Sequence, residues 1–235
     1  MRILAWTMDY WNDEAHANRR NGKWDSLQEW ACRMDRFFAP IDLFAASGTW
    51  SDPRWNPASS VKVVNAGAPN DKPYDFHCNH YGCCALAAAA FYALNRNDWD
   101  YLVFLDTDSL IGDVNLPALF AEFGQRPETI LAPGWLGGVG GPFVVWKRAG
   151  VCTLAHKRLY PNISVTPRPQ IWEMECRDIY GKDWWNPWPQ HSTLDMRHDS
   201  GGNPTFQDWP FVMRPHEHLT SEYLENKTVK AIPLQ

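Results

Sequence analysis

Residues 2–8 are mostly apolar and residues 9–21 mostly polar, which predicts a first strand and then a loop at its carboxyl end. Within 24–38 the apolar positions are Leu27, Trp30, Ala31, Met34, Phe37 and Phe38, the spacing of a helix with one buried face. Asp25 or Ser26 would cap that helix and Pro40 would end it. Strands follow at 41–46 and 61–65, separated by a loop that opens at Ser47. A second helix is predicted over 81–95, because 85–90 is almost pure alanine and leucine, the strongest helix formers. Then Tyr101-Leu-Val-Phe-Leu105 sets five apolar side chains in a row. Such a run reads as a strand buried on both faces inside a parallel sheet.

Asn115-Leu-Pro begins a third helix with proline in its first turn, and Gly124 is expected to stop it. Short strands at 129–132 and 143–146 flank a stretch, 133–142, that holds five glycines. Helices are predicted at 151–160 and 171–180, and a last short strand at 211–213. Between 184 and 209 the chain is rich in Pro, Trp, His, Gly and Asp and shows no period. A long irregular stretch in a compact chain is usually functional or mobile. Strands alternating with helices predict an α/β fold: a Rossmann-type mixed or parallel sheet flanked by helices, with an irregular C-terminal region.

Composition narrows the picture. The chain has 235 residues, 45% of them hydrophobic, enough for one large domain with a real core. Its net charge of -5, with no basic run, argues against a duplex nucleic-acid binder, whose affinity comes from neutralising phosphates. No stretch of 18 apolar residues is present, so no membrane-spanning segment is expected. The first apolar run is too short for a signal peptide, and six cysteines without one suggest reduced thiols in a cytoplasm. Tryptophan is abundant at 14, and Trp50, Trp55, Trp135, Trp184, Trp185 and Trp188 fall outside the apolar runs. They are either core or a platform for a flat ligand such as a sugar ring or a base.

The chemistry centres on Asp106-Thr-Asp108, which follows the buried strand. Open α/β sheets bind ligands beyond the carboxyl ends of their strands. Residues i and i+2 of an extended chain project alike, so both carboxylates can aim at one point. Two converging carboxylates call for a cation between them, and oxygen donors favour Mn2+ or Mg2+ over zinc. Asp98-Trp-Asp100 is the same triplet at the wrong end of the strand. His77, Cys78, His80, Cys83 and Cys84 could suggest zinc, but they lack the separated pairs of a structural site. No Gly-x-Gly-x-x-Gly follows the first strand and no Walker A sequence exists, against dinucleotide and ATPase functions.

A helix under a buried strand ending in Asp-Thr-Asp, then a Gly-rich turn, an acidic helix and a late histidine, resembles a GT-A type glycosyltransferase. The resemblance covers about residues 1–220 and is strongest over 79–146. It implies one catalytic domain, 1–235, with a nucleotide-binding half over 1–110 and an acceptor-side half over 111–235, including irregular loops at 160–210. It implies a nucleotide diphosphate sugar as donor and an acceptor hydroxyl carried by a glycan, a small molecule, a protein or a modified nucleic acid. Asp108 would bind the metal directly, and Asp106 would hold the ribose or a metal-bound water. His216 would complete the metal site, with His218 as its rival. Glu175 would be the acceptor-side base, with Glu173 and Asp178 as alternatives. Thr7 and Asp9 would face the base.

Ser47 and Asn65 end the next two strands at the same rim, and Asn79 and His80 precede a helix whose free N–H groups suit phosphate. Gly138 belongs to a run of glycines that permits close backbone approach to a ligand. Each of these residues could instead cap its own turn or helix. Two other functions stay open: a sugar-phosphate nucleotidyltransferase, which would want a glycine-rich basic loop after strand one, and a non-catalytic carbohydrate-binding protein.

Overall fold

A computed structural model of the chain describes residues 1–9, 27–47, 60–65, 80–106, 109–111, 114–132, 134–135, 138–140, 143–159, 172–187 and 211–213. In order, the elements are β1 (Ile3–Asp9), α1 (Leu27–Phe38), β2 (Asp42–Ser47), β3 (Val61–Asn65), α2 (His80–Leu94) and β4 (Tyr101–Leu105). There follow β5 (Ser109–Ile111), α3 (Leu116–Gln125), β6 (Ile130–Leu131), β7 (Gly134–Trp135), β8 (Gly138–Val139) and β9 (Phe143–Lys147). The last are α4 (Arg148–Leu159), α5 (Trp172–Tyr180), β10 (Trp184–Trp185) and β11 (Phe211–Met213).

Seven strands form one mixed sheet in the order β10-β6-β9-β4-β1-β2-β3. All run parallel except β9, which is antiparallel to both β4 and β6. The carboxyl ends of six strands therefore share one edge. The α/β class read from the hydrophobic pattern is the class observed.

Alternation along each strand sends side chains to two separate cores. Leu4, Trp6 and Met8 of β1, Leu102 and Phe104 of β4, and Val144 and Trp146 of β9 face α2, α4 and α5. Ile3 and Ala5, Val103 and Leu105, and Phe143 and Val145 face α1 and α3. Trp6 is the hub of the first core, with ring centroids 4.8 Å from Phe104, 6.1 Å from Trp146 and 6.4 Å from Phe44. Burying one such large apolar side chain stabilises by about 1.5–3 kcal/mol. The β4 run thus explains why this strand holds the middle of the sheet.

Two helix ends show how local chemistry sets the layers. The α1 helix stops at Phe38, where Ala39 turns to a φ of 42° ahead of Pro40. The α3 helix starts at Asn115, whose side-chain oxygen accepts the Ala118 N–H at 3.1 Å. Gly124, expected to stop α3, lies inside it instead; the cap is Arg126, in extended backbone. The glycine has a packing reason. A Cβ there would sit 3.2 Å from the Tyr101 hydroxyl.

Two short elements escape the sequence pattern. Trp184–Trp185 lies in the stretch without period, yet it forms the sheet edge β10. Asp183 pins it there by accepting the Thr129 N–H at 3.0 Å and the Thr129 hydroxyl at 2.6 Å. β5 and β11 pair antiparallel with Ser109 opposite Met213, so residues 211–213 return beside the segment that follows β4.

Candidate active site

The sheet order creates a crevice between β1 and β4. From β1 the chain steps outward through β2 to β3, then crosses back to β4 on the other side of β1. Ligands of open α/β sheets bind at such a reversal, outside the carboxyl ends. The register places the candidates along that edge. Asp9, Ser47 and Asn65 are the last residues of β1, β2 and β3, and they are cross-strand neighbours, Asp9 with Ser47 and Ser47 with Asn65. Trp6 pairs with Phe104, so the same offset carried two residues on sets Met8 beside Asp106. The side chains of Asp9, Ser47 and Asn65 lie outside the described residues.

Asp106 is half-buried and leaves the sheet directly after Leu105. Its approach is held from behind: the Leu105 carbonyl accepts the Trp30 indole N–H at 2.9 Å, in a buried bond from α1. Thr7 is fully buried two residues short of the rim, and its hydroxyl finds no partner among the described residues. A buried hydroxyl without a partner costs free energy that a water or a ligand atom would recover.

The α2 helix runs away from the rim. Its last turn lies at the far edge, where Tyr92 donates to Asp42 at 2.7 Å at the start of β2. The helix is 15 residues long, about 22 Å at 1.5 Å per residue, so its N-terminus at His80 points to the carboxyl edge. The α5 helix runs the same way. The Tyr180 hydroxyl, at its end, donates to the Gly150 carbonyl at 2.9 Å, just past the far end of β9. Besides α2 and α4 it packs against β8, which carries Gly138 and Val139 in the hairpin between β6 and β9. The first turn of α5 therefore lies on the hairpin side.

Cys176 and Tyr180 form the buried face of α5. Asp178 is on the exposed face and pairs with its neighbour Arg177, at 3.0 and 3.1 Å. Glu175 is in the helical backbone, with its side chain outside the described residues, as is that of His80. Asp108, Asn79, His216 and His218 also lie outside them.

Among the described residues no group of three or more His, Cys, Asp or Glu side chains converges on a metal-sized point. Asp106 is the one described member of the expected donor set. Its position at the strand end, with oxygen donors on neighbouring ends, fits a hard cation better than zinc. Sequence reasoning missed Trp30, which carries only the helical-core signal in the sequence. Among the described residues no helix is long and apolar enough to cross a membrane.

No family model matches the chain, and no curated protein matches it in sequence. Among solved structures it is similar to the glycosyltransferase GlyE of Streptococcus pneumoniae, at 11% identity over 86% of this chain and 48% of that one, with a TM-score of 0.48. It thus spans about half the length of GlyE. It is also similar to a glycosyltransferase involved in glycosylation of the major capsid of PBCV-1, at 9% identity over 96% and 98% of the two chains and a TM-score of 0.43. A third is the glucosyl-3-phosphoglycerate synthase of Mycobacterium tuberculosis, solved with Mn2+, uridine diphosphate and phosphoglyceric acid, at 13% identity, 67% and 65% coverage and a TM-score of 0.39. Scores this low carry no weight for function, which rests on the chain's own strand ends. The first two of these solved structures are glycosyltransferases by description.

Proposed function

We propose that this chain is a metal-dependent glycosyltransferase that moves a sugar from a nucleotide diphosphate sugar to an acceptor hydroxyl. The observation that carries this is the pairing of β5 with β11 at the end of β4. Ser109 follows Asp108 directly and sits opposite Met213, and His216 is only three residues further along the chain from Met213. Three residues span at most about 11 Å. That ladder supports a shared site for Asp106, Asp108 and His216.

In this account Asp106, Asp108 and His216 hold Mn2+ or Mg2+. When bound, the cation supplies charge neutralisation for the departing nucleoside diphosphate. Asp9, Ser47 and Asn65, with Thr7 behind them, line the base and ribose side. Asn79 and His80 offer the α2 N-terminus to phosphate. Gly138 lets the hairpin backbone approach the sugar. On the acceptor side Glu175 in the first turn of α5 takes the hydroxyl proton as the oxygen bonds to the anomeric carbon. The electron pair of the broken sugar–phosphate bond stays on the phosphate oxygen. That role belongs to an inverting reaction. Asp178 is the second choice, since it lies about 4.5 Å further along the helix and already faces Arg177.

The residues divide as one catalytic domain, 1–110 for the donor and 111–235 for the acceptor, working in a cytoplasm. A thermal-shift screen of nucleotide sugars with and without Mn2+ tests the proposal. A ligand at 100 times its Kd should stabilise the fold by about 2.7 kcal/mol. Shifts that need Mn2+ and vanish in Asp108→Ala support the transferase. Shifts from free sugars alone, indifferent to Mn2+, would mean a carbohydrate-binding protein.

A further inference from the structure

We propose that Trp30 is a positioning residue that fixes the carboxyl end of β4 and, through it, Asp106. The inference rests on the transferase reading of that strand end. Two tryptophans tie the two ends of β4 by the same bond. At the amino end, the Trp99 indole N–H donates to the Ala93 carbonyl at 2.7 Å, and Trp99 is 2% exposed. At the carboxyl end, the Trp30 indole N–H donates to the Leu105 carbonyl at 2.9 Å, and Trp30 is fully buried. Both bonds are buried and both acceptors are backbone oxygens. They differ in direction and in what comes next: Trp99, just before β4, reaches back six residues to α2, whereas Trp30 reaches from α1 to the last carbonyl of β4, next to Asp106.

After Leu105 the next residue is Asp106, beyond the last register pair between β1 and β4, Trp6 with Phe104. The peptide group is planar, so a bond to the Leu105 oxygen also orients the Asp106 N–H and Cα. Without the indole, a buried carbonyl would have to turn to find another donor. The peptide plane would turn with it, and the Asp106 carboxylate would lose its aim. Trp30 is clamped in the core of Leu27, Met34, Leu105 and Phe143, so its ring has nowhere to follow. The bond therefore acts as a fixed stop rather than an adaptable contact.

The test compares Trp30→Phe with Trp99→Phe. Each change removes one indole N–H and the same ring volume. Both should lower the melting temperature. Binding of Mn2+ with UDP or GDP is then read by calorimetry and by the loss of the free Mn2+ resonance signal. Trp30→Phe should weaken Mn2+-dependent binding about tenfold, which is about 1.4 kcal/mol, and leave metal-free nucleotide binding unchanged. Trp99→Phe should leave both unchanged. Equal losses in the two variants, or none in Trp30→Phe, would overturn the positioning role alone. A wild-type protein that binds neither nucleotide with Mn2+ would overturn the transferase reading and this inference together. Should Trp30→Phe not fold, the wild-type protein decides. Deuterium exchange at the Trp30 indole should slow when Mg2+ and the nucleotide bind, with Trp99 unaffected. Equal slowing at both, or none at Trp30, would contradict the proposal.

Discussion

The two edges of the sheet are built from opposite materials. At the amino edge nearly every charge is answered. Asp42 accepts from Lys62 at 2.7 Å, from Tyr92 at 2.7 Å and from Arg96. Arg2 pairs with Asp100 at 2.9 Å, and Arg96 also holds Asp98 at 2.8 Å. Arg126 grips Glu128 while stacking 4.5 Å over the Trp185 ring. At the carboxyl edge stand Asp9, Ser47 and Asn65, the last residues of β1, β2 and β3, and Asp106, the first residue beyond β4. One edge spends its charges on holding strands together. The other gathers residues of oxygen-bearing type at four neighbouring strand ends, the donor type that a cation and a nucleotide require. In α/β sheets that asymmetry separates stability from chemistry.

The proton equilibria follow the same division. Burial alone would raise the Asp42 carboxyl, but hydrogen bonds from Lys62 and Tyr92, with the charges of Lys62 and Arg96, hold it below the usual range. The hydrogen bond and charge of Arg2 lower Asp100, and the Arg126 hydrogen bond lowers Glu128. Lys147 is lowered by burial near Arg126.

The sharpest way to break the comparison is to exchange its effects. Asp106→Ala should cut sugar transfer by about a thousandfold, the scale of losing a main electrostatic element of a site. Its urea midpoint should stay within about 0.5 kcal/mol of wild type, as for a surface change. If the variant unfolds instead, Asp106 is structural. Gly150→Ala should do the reverse. Its Cβ would meet the Thr129 carbonyl oxygen at 2.8 Å. Backbone cannot yield cheaply, so a loss of about 2–3 kcal/mol is expected, with nucleotide binding intact at low temperature.

Asp42→Asn should cost about 2 kcal/mol at neutral pH, below the figure for a dry buried pair because Lys62 and Arg96 are solvated. The sign with pH follows from the lowered carboxyl. Its stabilisation is complete above the unfolded carboxylate pKa of about 4 and is lost as pH falls through the lower folded value. The gap between wild type and Asp42→Asn in urea unfolding should therefore close on going from pH 7 into strong acid. A gap that widens there would contradict the assigned network. The smallest effect is at Ala39, whose φ of 42° suits glycine. Ala39→Gly should raise stability by about 1 kcal/mol by relieving left-handed strain, seen as a higher melting temperature with unchanged nucleotide binding.

Much of the fold was legible because the informative runs were long. The Tyr101–Leu105 strand and the alanine-rich α2 declare themselves by composition, and β3 was read with its observed ends. Gly124 misled because a glycine can serve close packing as well as a helix stop. β10 was invisible because two residues carry no period; side-chain bonds from Asp183 and a stack on Arg126 define it. At the site, the strand-end rule placed Asp9, Ser47, Asn65 and Asp106 on one edge before any coordinates. It could not reveal Trp30, since a core tryptophan looks the same in sequence whether its N–H holds a key carbonyl or not. Nor could it reveal the β5–β11 ladder, a three-residue pairing across about a hundred residues of chain.

The most direct test of the central claim is calorimetry of a nucleoside diphosphate with and without Mn2+, in wild type and in Asp108→Ala. The account predicts that Mn2+ tightens binding at least about tenfold in wild type, about 1.4 kcal/mol or more, and does nothing for the variant. Tightening that survives loss of Asp108, or binding indifferent to Mn2+ throughout, would contradict it.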